Sequence, residues 1–375
     1  MRLLYSSPFY WPSIGGMEVI SAKLVGALRA RGHEVRVVTS HGQFELPDEE
    51  ERDGVRIHRF PFHRALETSD PVLLLRTQRR LAQLKREFRP DVVHVNLTDA
   101  SVIFHLLTAA AYPSKVVVAL HMMAPEQLCG PETVFGRVLR AADWVTAVSE
   151  APLAAMRRVM PEIAPISSVI LNGIEAPRLR PRPLPTEPPM LLCVGRMSAE
   201  KGFDTAIAGF ASIAGRWPTM RLVIAGDGAE RLALEQQAQL LGVAGRVDFL
   251  GWVAPDGVPA LINDATIVLM PSRSEGLPLV AIEAALMARP LVATRVGGLP
   301  EVVLDGETGV LVECDNSEAL GGAVASLLEH PQRAAQMGHA ARARALNVFS
   351  GERCVAQYDL LYQHLTREPV YADAR

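Results

Sequence analysis

The segment Met190-Leu191-Leu192-Cys193-Val194-Gly195-Arg196 is a run of apolar residues that leads directly into a glycine and an arginine. A short apolar run bounded by a turn residue predicts a strand that is buried on both faces, as in a parallel sheet. Similar runs alternate with longer helical patterns along the chain, which predicts an α/β fold with doubly wound sheets. The predicted strands are 3–6, 35–39, 55–59, 92–95, 115–120, 144–148, 168–170, 190–194, 221–225, 246–249, 267–270, 291–293 and 310–312.

Two domains are predicted, because 375 residues exceed the usual size of one domain. A proline-rich stretch, residues 177–185, suits neither a helix nor an inner strand. We therefore predict an N-terminal domain, a stiff linker, a second domain and a final helix that crosses back to the first domain and ends in a tail. The bounds are 1–175, 176–189, 190–350 and 351–375. The ligand is expected in the cleft between the carboxyl ends of the two sets of strands.

The composition is ordinary for a soluble protein, with 49% hydrophobic and 21% charged residues. The sequence contains no bilayer-spanning stretch and only a short apolar run at its start, so a cytoplasmic location is expected. A formal net charge of −3 without a concentrated basic patch argues against a nucleic-acid partner. The cysteines lack metal-ligand spacing, which predicts reduced thiols, no disulfide and no structural zinc. They are Cys129, Cys193, Cys314 and Cys354.

Arg196 and Lys201 follow the predicted strand 190–194, in a turn that also contains Gly195 and Gly202. Arginine offers a planar fork of donors and lysine a compact charge, a combination that suits a pyrophosphate. Salt bridges at the protein surface are the alternative explanation for such a pair.

Glu275 and Glu283 lie eight residues apart around a predicted helix start, for which Pro278 suits the first helical position. A glutamate among aliphatic side chains costs several kcal/mol unless it is paired, and vicinal sugar hydroxyls are one such partner. Backbone amides around Gly276 and Leu277 favour an anion such as a phosphate. This one segment could hold both ends of a nucleotide sugar. The alternative is a structural Glu283 paired with a neighbouring arginine.

The N-terminal half offers two further candidates. A loop containing Gly15 and Gly16 opens a helix, where backbone amides could approach a phosphate or a sugar, although a tight turn explains the glycines equally well. His121 follows the predicted strand 115–120 and is therefore expected at its carboxyl end, whereas His94 is expected to be structural. No G-x-G-x-x-G dinucleotide fingerprint is present.

Taken together and in this order, these features resemble the family 4 retaining glycosyltransferases of the glycosyltransferase B (GT-B) fold. The resemblance covers nearly the whole chain. The matching features are Gly15-Gly16 with Glu18, Asp91-Val92-Val93-His94, His121, Ala147-Val148-Ser149, Asn172-Gly173-Ile174, Val194-Gly195-Arg196, Lys201-Gly202, Gly226-Asp227-Gly228, Pro271-Ser272, the two glutamates eight residues apart, Gly297-Gly298-Leu299-Pro300-Glu301 and Gly306-Glu307-Thr308-Gly309.

The resemblance implies two Rossmann-like domains that face a central cleft, with the nucleotide sugar held by the second. Arg196 and Lys201 would clamp the donor's diphosphate, and Glu283 would bind the ribose. Glu275 would lie beside the donor sugar. Three residues would read the edge of the base through their backbone: Gly251, Trp252 and Val253.

In the first domain, the resemblance implies that His121 approaches the donor sugar and that the Gly16 amide contacts the phosphate or sugar. Glu175 departs from the family's pattern, which often has aspartate after Asn-Gly-Val/Ile. The change is conservative, and it puts the contact at the domain junction in doubt rather than the activity.

The implied reaction is the transfer of a hexosyl group from a UDP- or GDP-sugar to a glycan, lipid-linked or small-molecule acceptor. A diphosphate held by cations is a stabilised leaving group. No carboxylate can be assigned as a covalent nucleophile, which favours front-face substitution with retention, the departing phosphate taking the acceptor's proton. No metal or other cofactor is expected, and the sequence has no Asp-x-Asp metal signature.

Two alternatives remain. One is an epimerase or phosphorylase of the same fold that acts on sugar nucleotides or glycans. The other is a non-catalytic two-domain sugar-binding protein, against which both the missing export signal and the Arg196/Lys201 pair argue.

The predicted helix 73–88 is basic and amphipathic. Its apolar side would carry Leu74, Leu81, Leu84 and Phe88, and its cations are Arg76, Arg79, Arg80, Lys85 and Arg86. Such a helix could dock on an anionic membrane and give a peripheral location. The alternative is that the leucines pack on the sheet while the cations are simply solvated.

Overall fold

The computed structural model describes residues 1–13, 15–42, 44–97, 101–123 and 130–367. It divides into two compact units, of which the first joins Met1–Asn172 to Gly351–Arg375 and the second is Gly173–Ser350. The C-terminal segment therefore belongs with the N-terminal part of the chain.

The first unit is built on an eight-stranded sheet. Its strands are β1 (Arg2–Ser6), β2 (Glu34–Ser40), β3 (Glu49–Arg52), β4 (Val55–Phe60), β5 (Val92–Asn96), β6 (Lys115–Leu120), β7 (Trp144–Ala147) and β8 (Ser167–Val169), and its first helices are α1 (Gly16–Ala30), α2 (Phe62–Glu67), α3 (Pro71–Phe88), α4 (Ser101–Leu107), α5 (Val134–Arg140) and α6 (Glu150–Val159). The strand order is β3-β4-β2-β1-β5-β6-β7-β8, and only the β3–β4 pair is antiparallel.

The second unit is built on a six-stranded parallel sheet in the order β11-β10-β9-β12-β13-β14. Its strands are β9 (Met190–Val194), β10 (Arg221–Ala225), β11 (Val247–Gly251), β12 (Ile267–Met270), β13 (Leu291–Thr294) and β14 (Gly309–Val312), and its helices are α7 (Phe203–Ile213), α8 (Arg231–Leu240), α9 (Val258–Asp264), α10 (Leu279–Leu286), α11 (Leu299–Val302), α12 (Ser317–Glu329) and α13 (Pro331–Val348). The predicted α/β class with two doubly wound sheets is confirmed.

The last helix, α14 (Gly351–Thr366), packs on the sheet of the first unit. Tyr358 and Tyr362 are buried in the same apolar cluster as Leu3 and Val37 of β1 and β2. Asp359 faces the surface of that unit, where its carboxylate lies 3.0 Å from His33 Nε2.

The proline-rich segment 177–185 belongs to the second unit and is bonded to residues at and just after the end of α9. The side chain of Asn263 bonds the backbone of this segment at two positions. Its Nδ2 donates to the Arg180 carbonyl and its Oδ1 accepts from the Arg182 amide, each at 2.9 Å. Thr266 Oγ1 adds a hydrogen bond of 2.7 Å to the Pro185 carbonyl. These bonds replace the regular pairing that prolines prevent.

Helix α3 begins at Asp70, whose carboxylate accepts from the Val72 and Leu73 amides. Leu81, Leu84 and Phe88 pack in the core, and Leu74 packs against it. This agrees with the alternative in which the leucines of the helix pack on the sheet. The prediction of an exposed cation at position 85 is wrong. Lys85 is only 3% exposed, and its ammonium donates to the carbonyls of His105 and Thr108 at 3.2 and 3.4 Å. Burial lowers the pKa of Lys85 to about 7.

Among the described residues, no helix combines the length and the apolar character that crossing a membrane requires.

Candidate functional site

The loops that follow β9, β12 and β13 carry the residues predicted for the donor site. These strands are neighbours in the sheet and run parallel, so their carboxyl ends lie along one edge. Arg196 and Lys201 follow β9, Glu275 follows β12, and Gly297 follows β13. The fold therefore places these loops side by side, as ligand sites in open α/β sheets require.

Two glycines allow these loops to touch. Gly202 has a φ of 63°, and a Cβ there would lie 2.0 Å from the Pro271 carbonyl oxygen. Gly297 has a φ of 50°, and its Cβ would lie 1.8 Å from the carbonyl oxygen of Glu275. Only glycine combines a positive φ with so close an approach of another backbone. The segment 271–275 is thus packed between its two neighbouring loops.

Lys201 and Glu275 form an ion pair at the centre of this edge. Lys201 Nζ donates to Glu275 Oε1 over 2.8 Å, and Ser272 Oγ donates to the same oxygen over 2.7 Å. Glu275 is 8% exposed, so these bonds stabilise a carboxylate that is largely removed from water. The sequence predicted both charged residues for the site but did not predict that they bond to each other.

Arg196 differs from Lys201 in having no partner. Its side chain is exposed, and no described residue forms a hydrogen bond or ion pair with its guanidinium. The salt-bridge alternative therefore describes Lys201 but not Arg196. A planar cation with all its donors unused is well suited to a diphosphate.

Helix α10 starts one residue later than predicted. Pro278 caps the helix, with ψ of 123°, instead of being its first residue. Gly276 and Leu277 belong to the loop before the helix, and the backbone of Glu275 in that loop lies against Gly297. Glu283 is the fifth residue of the helix, half-buried between the buried Ile282 and Ala284.

The residues predicted to read the base lie at the other side of β9. Gly251 ends β11, the outermost strand, with φ of 71°, and its carbonyl accepts from the Gly226 amide at 2.8 Å. Trp252 follows with its indole exposed, and Val253 is half-buried. These residues follow the carboxyl end of β11 and therefore lie at the same edge of the sheet as Arg196.

In the first unit, Gly15 caps α1 and Gly16 is its exposed first residue, while the adjoining Ile14 lies outside the described residues. The carboxylate of Glu18 lies over Gly15, since a Cβ there would be 2.4 Å from Glu18 Oε2. A carboxylate at this helix start would repel a phosphate. The geometry therefore favours a neutral group, such as a sugar hydroxyl, over an anion.

His121 follows β6, where its Nε2 lies 2.9 Å from Asn96 Oδ1. Burial lowers the pKa of His121 to about 4, so the ring is neutral at pH 7. The same Asn96 oxygen lies 3.2 Å from His94 Nε2, and Asn96 Nδ2 donates to Tyr5 Oη and Ser21 Oγ. Asn96 thus ties the half-buried ring of His121 to a buried polar network.

His94 lies deep in that network. Its Nδ1 is 2.7 Å from the Tyr362 hydroxyl, and its ring stacks on Tyr5 with centroids 4.7 Å apart. Burial, followed by the nearby His121, lowers the pKa of His94 to about 3. This environment is that of a structural histidine. Sequence reasoning missed Asn96, although a polar residue that closes the buried strand β5 was a usable signal.

Within the described ranges, no group of three or more His, Cys, Asp or Glu side chains is arranged to hold a metal ion. Cys193, Cys314 and Cys354 are free thiols, and Cys129 lies outside the described residues. Burial raises the pKa of the Cys193 thiol, which keeps it protonated.

Comparison with known proteins matches each half of the chain to a glycosyltransferase family. The Glycosyltransferase Family 4 model matches residues 14–178, and the Glycosyl transferases group 1 model matches residues 178–344. The chain is 31% identical to the glycogen synthase of Mycobacterium tuberculosis, over 98% of this chain and 97% of that protein. The chain belongs to the family 4 glycosyltransferases. This family 4 glycosyltransferase is also 30% identical to the GDP-mannose-dependent alpha-(1-6)-phosphatidylinositol monomannoside mannosyltransferase of Mycolicibacterium smegmatis, over 90% and 91% of the two chains.

The fold of this glycosyltransferase is that of sucrose-phosphate synthase from Thermosynechococcus elongatus. The two structures align with a TM-score of 0.84 at 25% identity, over 97% of this chain and 98% of that chain. The predicted GT-B fold is confirmed.

Proposed function

We propose that the protein transfers a hexosyl group from a UDP- or GDP-sugar to an acceptor with retention of the anomeric configuration. The observation that carries this proposal is the edge of the second sheet, where Lys201, Glu275 and Ser272 are joined by hydrogen bonds and the Arg196 guanidinium has no partner among the described residues. The second unit is the donor-binding half and the first unit is the acceptor-side half.

Arg196 and Lys201 bind the donor's diphosphate, Arg196 through its fork of donors and Lys201 as a point charge. Glu283 binds the ribose, and Glu275 lies beside the sugar with the Gly276 and Leu277 amides. The base is read by the backbone at Gly251, Trp252 and Val253. The similarity to a GDP-mannose-dependent mannosyltransferase of Mycolicibacterium smegmatis supports a guanine nucleotide as one of the two candidates.

Fixed cations beside the leaving group are the main catalytic device of this proposal. Cleavage of the glycosidic C–O bond moves an electron pair onto the diphosphate, and preorganised positive charge stabilises that product without reorganising. The departing phosphate oxygen then takes the proton of the attacking acceptor hydroxyl on the same face, which gives retention. Arg196 and Lys201 supply the charge that a metal ion would otherwise provide, so transfer is independent of added metal.

The first unit contributes His121 and the glycine loop to sugar transfer. A neutral His121, held by Asn96, can exchange a hydrogen bond with a sugar hydroxyl without adding charge. Glu18 at the start of α1 disfavours a phosphate there, so the amides at Gly15 and Gly16 bind sugar oxygen. His121→Ala should leave nucleotide binding intact but impair transfer, because the proposed nucleotide contacts all lie in the second unit. Unchanged transfer would remove His121 from the site.

The acceptor is a glycan, a lipid-linked sugar or a small molecule. Val72 and Leu75 of α3 are 73% and 51% exposed, and the exposed Arg76 and Arg79 flank them. Arg80 lies on the same surface, but its guanidinium is already bonded to Asp48. Exposed apolar side chains flanked by arginines suit an anionic membrane surface. Such a contact would attach the protein peripherally to the inner face of the cell membrane.

Sedimentation with vesicles tests the membrane contact. At low salt the protein should pellet with anionic but not with neutral vesicles, and Arg76→Glu should reduce the bound fraction. Equal binding to anionic and neutral vesicles, or no binding to either, would overturn the proposed membrane contact.

A cytoplasmic location is also consistent with the free thiols of Cys193, Cys314 and Cys354, which suit a reducing compartment.

Thermal shift with UDP, GDP and a panel of their sugars tests the donor assignment, because a ligand that binds only the folded state raises the melting temperature. Arg196→Ala and Lys201→Ala should lose the shift. Arg221→Ala is the matched control, since Arg221 is an exposed, ion-paired arginine at the opposite end of β10. An equal shift in all three variants would refute the assignment.

A further inference from the structure

Arg273 ties together the loops that carry Lys201 and Glu275. Its backbone amide donates to the Glu200 carbonyl over 2.7 Å, and its Nη1 donates to the Ala199 carbonyl over 2.5 Å. Both carbonyls belong to the short 3₁₀ turn Ala199–Lys201. Arg273 is itself only two residues from Glu275 in the chain. Arg273 is therefore part of the loop that carries Glu275 and is hydrogen-bonded to the turn that carries Lys201.

The guanidinium of Arg273 is saturated by carboxylates. Nη1 and Nη2 bind the two oxygens of Asp204 at 3.0 and 2.7 Å, and Nε binds Asp315 Oδ1 at 2.7 Å. These bonds, first those to Asp204, raise the pKa of Arg273 despite a side chain that is 31% exposed. Its charge is therefore already neutralised, in contrast to the unpaired Arg196.

The planar fork explains why an arginine is needed here. The three nitrogens of the guanidinium together bond three separate acceptors: the carbonyl of Ala199, the carboxylate of Asp204 at the start of α7 and the carboxylate of Asp315. Guanidinium donors reach all three at once, whereas one ammonium cannot match this geometry. Gly202 adds the complementary contact, since its backbone lies against the Pro271 carbonyl.

We propose that Arg273 is a positioning residue, which holds the Lys201 turn against the Glu275 loop so that the ammonium of Lys201 is preorganised for a diphosphate. This role deepens the proposed function and rests on Lys201 as a diphosphate ligand. A misplacement of about 1 Å in a group that positions the reactants can cost about a hundredfold in rate.

Hydrogen exchange tests the positioning directly, without any ligand. In Arg273→Ala, amides in the segment 199–203 should exchange faster than in the wild type. In the control Arg221→Ala, which removes an arginine of similar exposure that is also bonded to a carboxylate, they should not change. Unchanged exchange in Arg273→Ala would overturn the proposal.

Calorimetry with UDP and GDP tests the consequence for binding. Arg273→Ala should lose roughly tenfold in affinity, the effect of one displaced charged hydrogen bond. Millimolar guanidinium chloride should restore part of that loss, because the free ion can bind between Asp204 and Asp315. Arg273→Lys should be intermediate, and it keeps the test usable if the alanine variant does not fold. Unchanged affinity in both variants would overturn the proposal.

The two claims fail separately. A wild-type protein that binds neither nucleotide would contradict the proposed function, and the exchange measurement would still decide whether Arg273 holds the Lys201 turn.

Discussion

Replacing Glu275 with glutamine is expected to strengthen the binding of a free nucleoside diphosphate and to slow sugar transfer. In the unliganded protein Glu275 accepts hydrogen bonds from Lys201 at 2.8 Å and from Ser272 at 2.7 Å. A diphosphate that binds Lys201 must therefore share the ammonium with a carboxylate. Glutamine keeps the shape and the accepting oxygen but removes the competing charge.

The size of the gain follows from the exposure of the pair. Exposed ion pairs contribute about 0.2–1 kcal/mol, and because Lys201 is partly open to solvent while Glu275 is largely buried, this pair lies at or above the upper end of that range. Removing the competition should raise the affinity for the free diphosphate by roughly fivefold or more, since 1.4 kcal/mol corresponds to a factor of ten. Turnover should fall roughly tenfold to a thousandfold, because the variant loses a charged contact beside the donor sugar.

Calorimetry with UDP and GDP, together with steady-state kinetics, measures both effects. Ser272→Ala is the matched control, because it removes the second hydrogen bond to Glu275 but leaves both charges, and it should not raise the affinity. Lys201→Ala should lower it. If Glu275→Gln loses as much affinity for the free diphosphate as Lys201→Ala does, the competition is refuted.

Three further outcomes are expected. Arg196→Ala and Lys201→Ala should each weaken diphosphate binding and cut turnover roughly tenfold to a thousandfold; wild-type kinetics in both would contradict the assignment. Glu283→Gln should lose affinity for the nucleotide and for the complete donor alike, and calorimetry that finds free-nucleotide binding intact would separate it from the ribose. The pKa values of His121 and His94 are lowered from 6.5 to about 4 and about 3 by burial, so the unfolded chain binds more protons than the folded one below about pH 6.5. The free energy of unfolding should therefore fall as the pH is lowered from about 6.5 to about 4, as measured by urea titrations, and His94→Gln should flatten that dependence; an equally steep dependence in the variant would contradict it.

The strands were the most predictable part of the fold. β6, β9, β10 and β12 have the bounds that their apolar runs predict, because strands buried on both faces leave little choice of residue. Strand β3 was missed. It reads Glu49-Glu50-Glu51-Arg52 and lies at the sheet's edge, where water solvates the side chains and no apolar pattern is needed.

The candidate site could be proposed from the sequence as a set of positions but not as a set of contacts. Charged residues after buried strands identified Arg196, Lys201 and Glu275 as candidates. Their pairing depends on how closely neighbouring loops approach, which the glycines allow but do not specify. Arg273 and Asn96 were missed for a related reason, since each acts through bonds to segments distant in sequence.

The buried Lys85 shows the limit of periodicity. Its position in the helical pattern predicted a solvated cation, but the carbonyls of His105 and Thr108 at a helix end accept its hydrogen bonds inside the protein. The last carbonyls of a helix have no partner within that helix, but which side chain of another helix reaches them is decided by tertiary packing and cannot be read from the pattern of either helix.

The anomeric configuration of the first product, followed by NMR, tests the central claim most directly. The protein is incubated with α-linked UDP- and GDP-sugars, with and without candidate acceptors, and water serves as the acceptor where none is used. We predict that at least one donor releases its nucleoside diphosphate and gives the α-anomer first, and that the Arg196→Ala/Lys201→Ala double variant does neither while Arg221→Ala does both. A β-anomer as the first product, an epimerised nucleotide sugar, or binding of every donor without cleavage would contradict it.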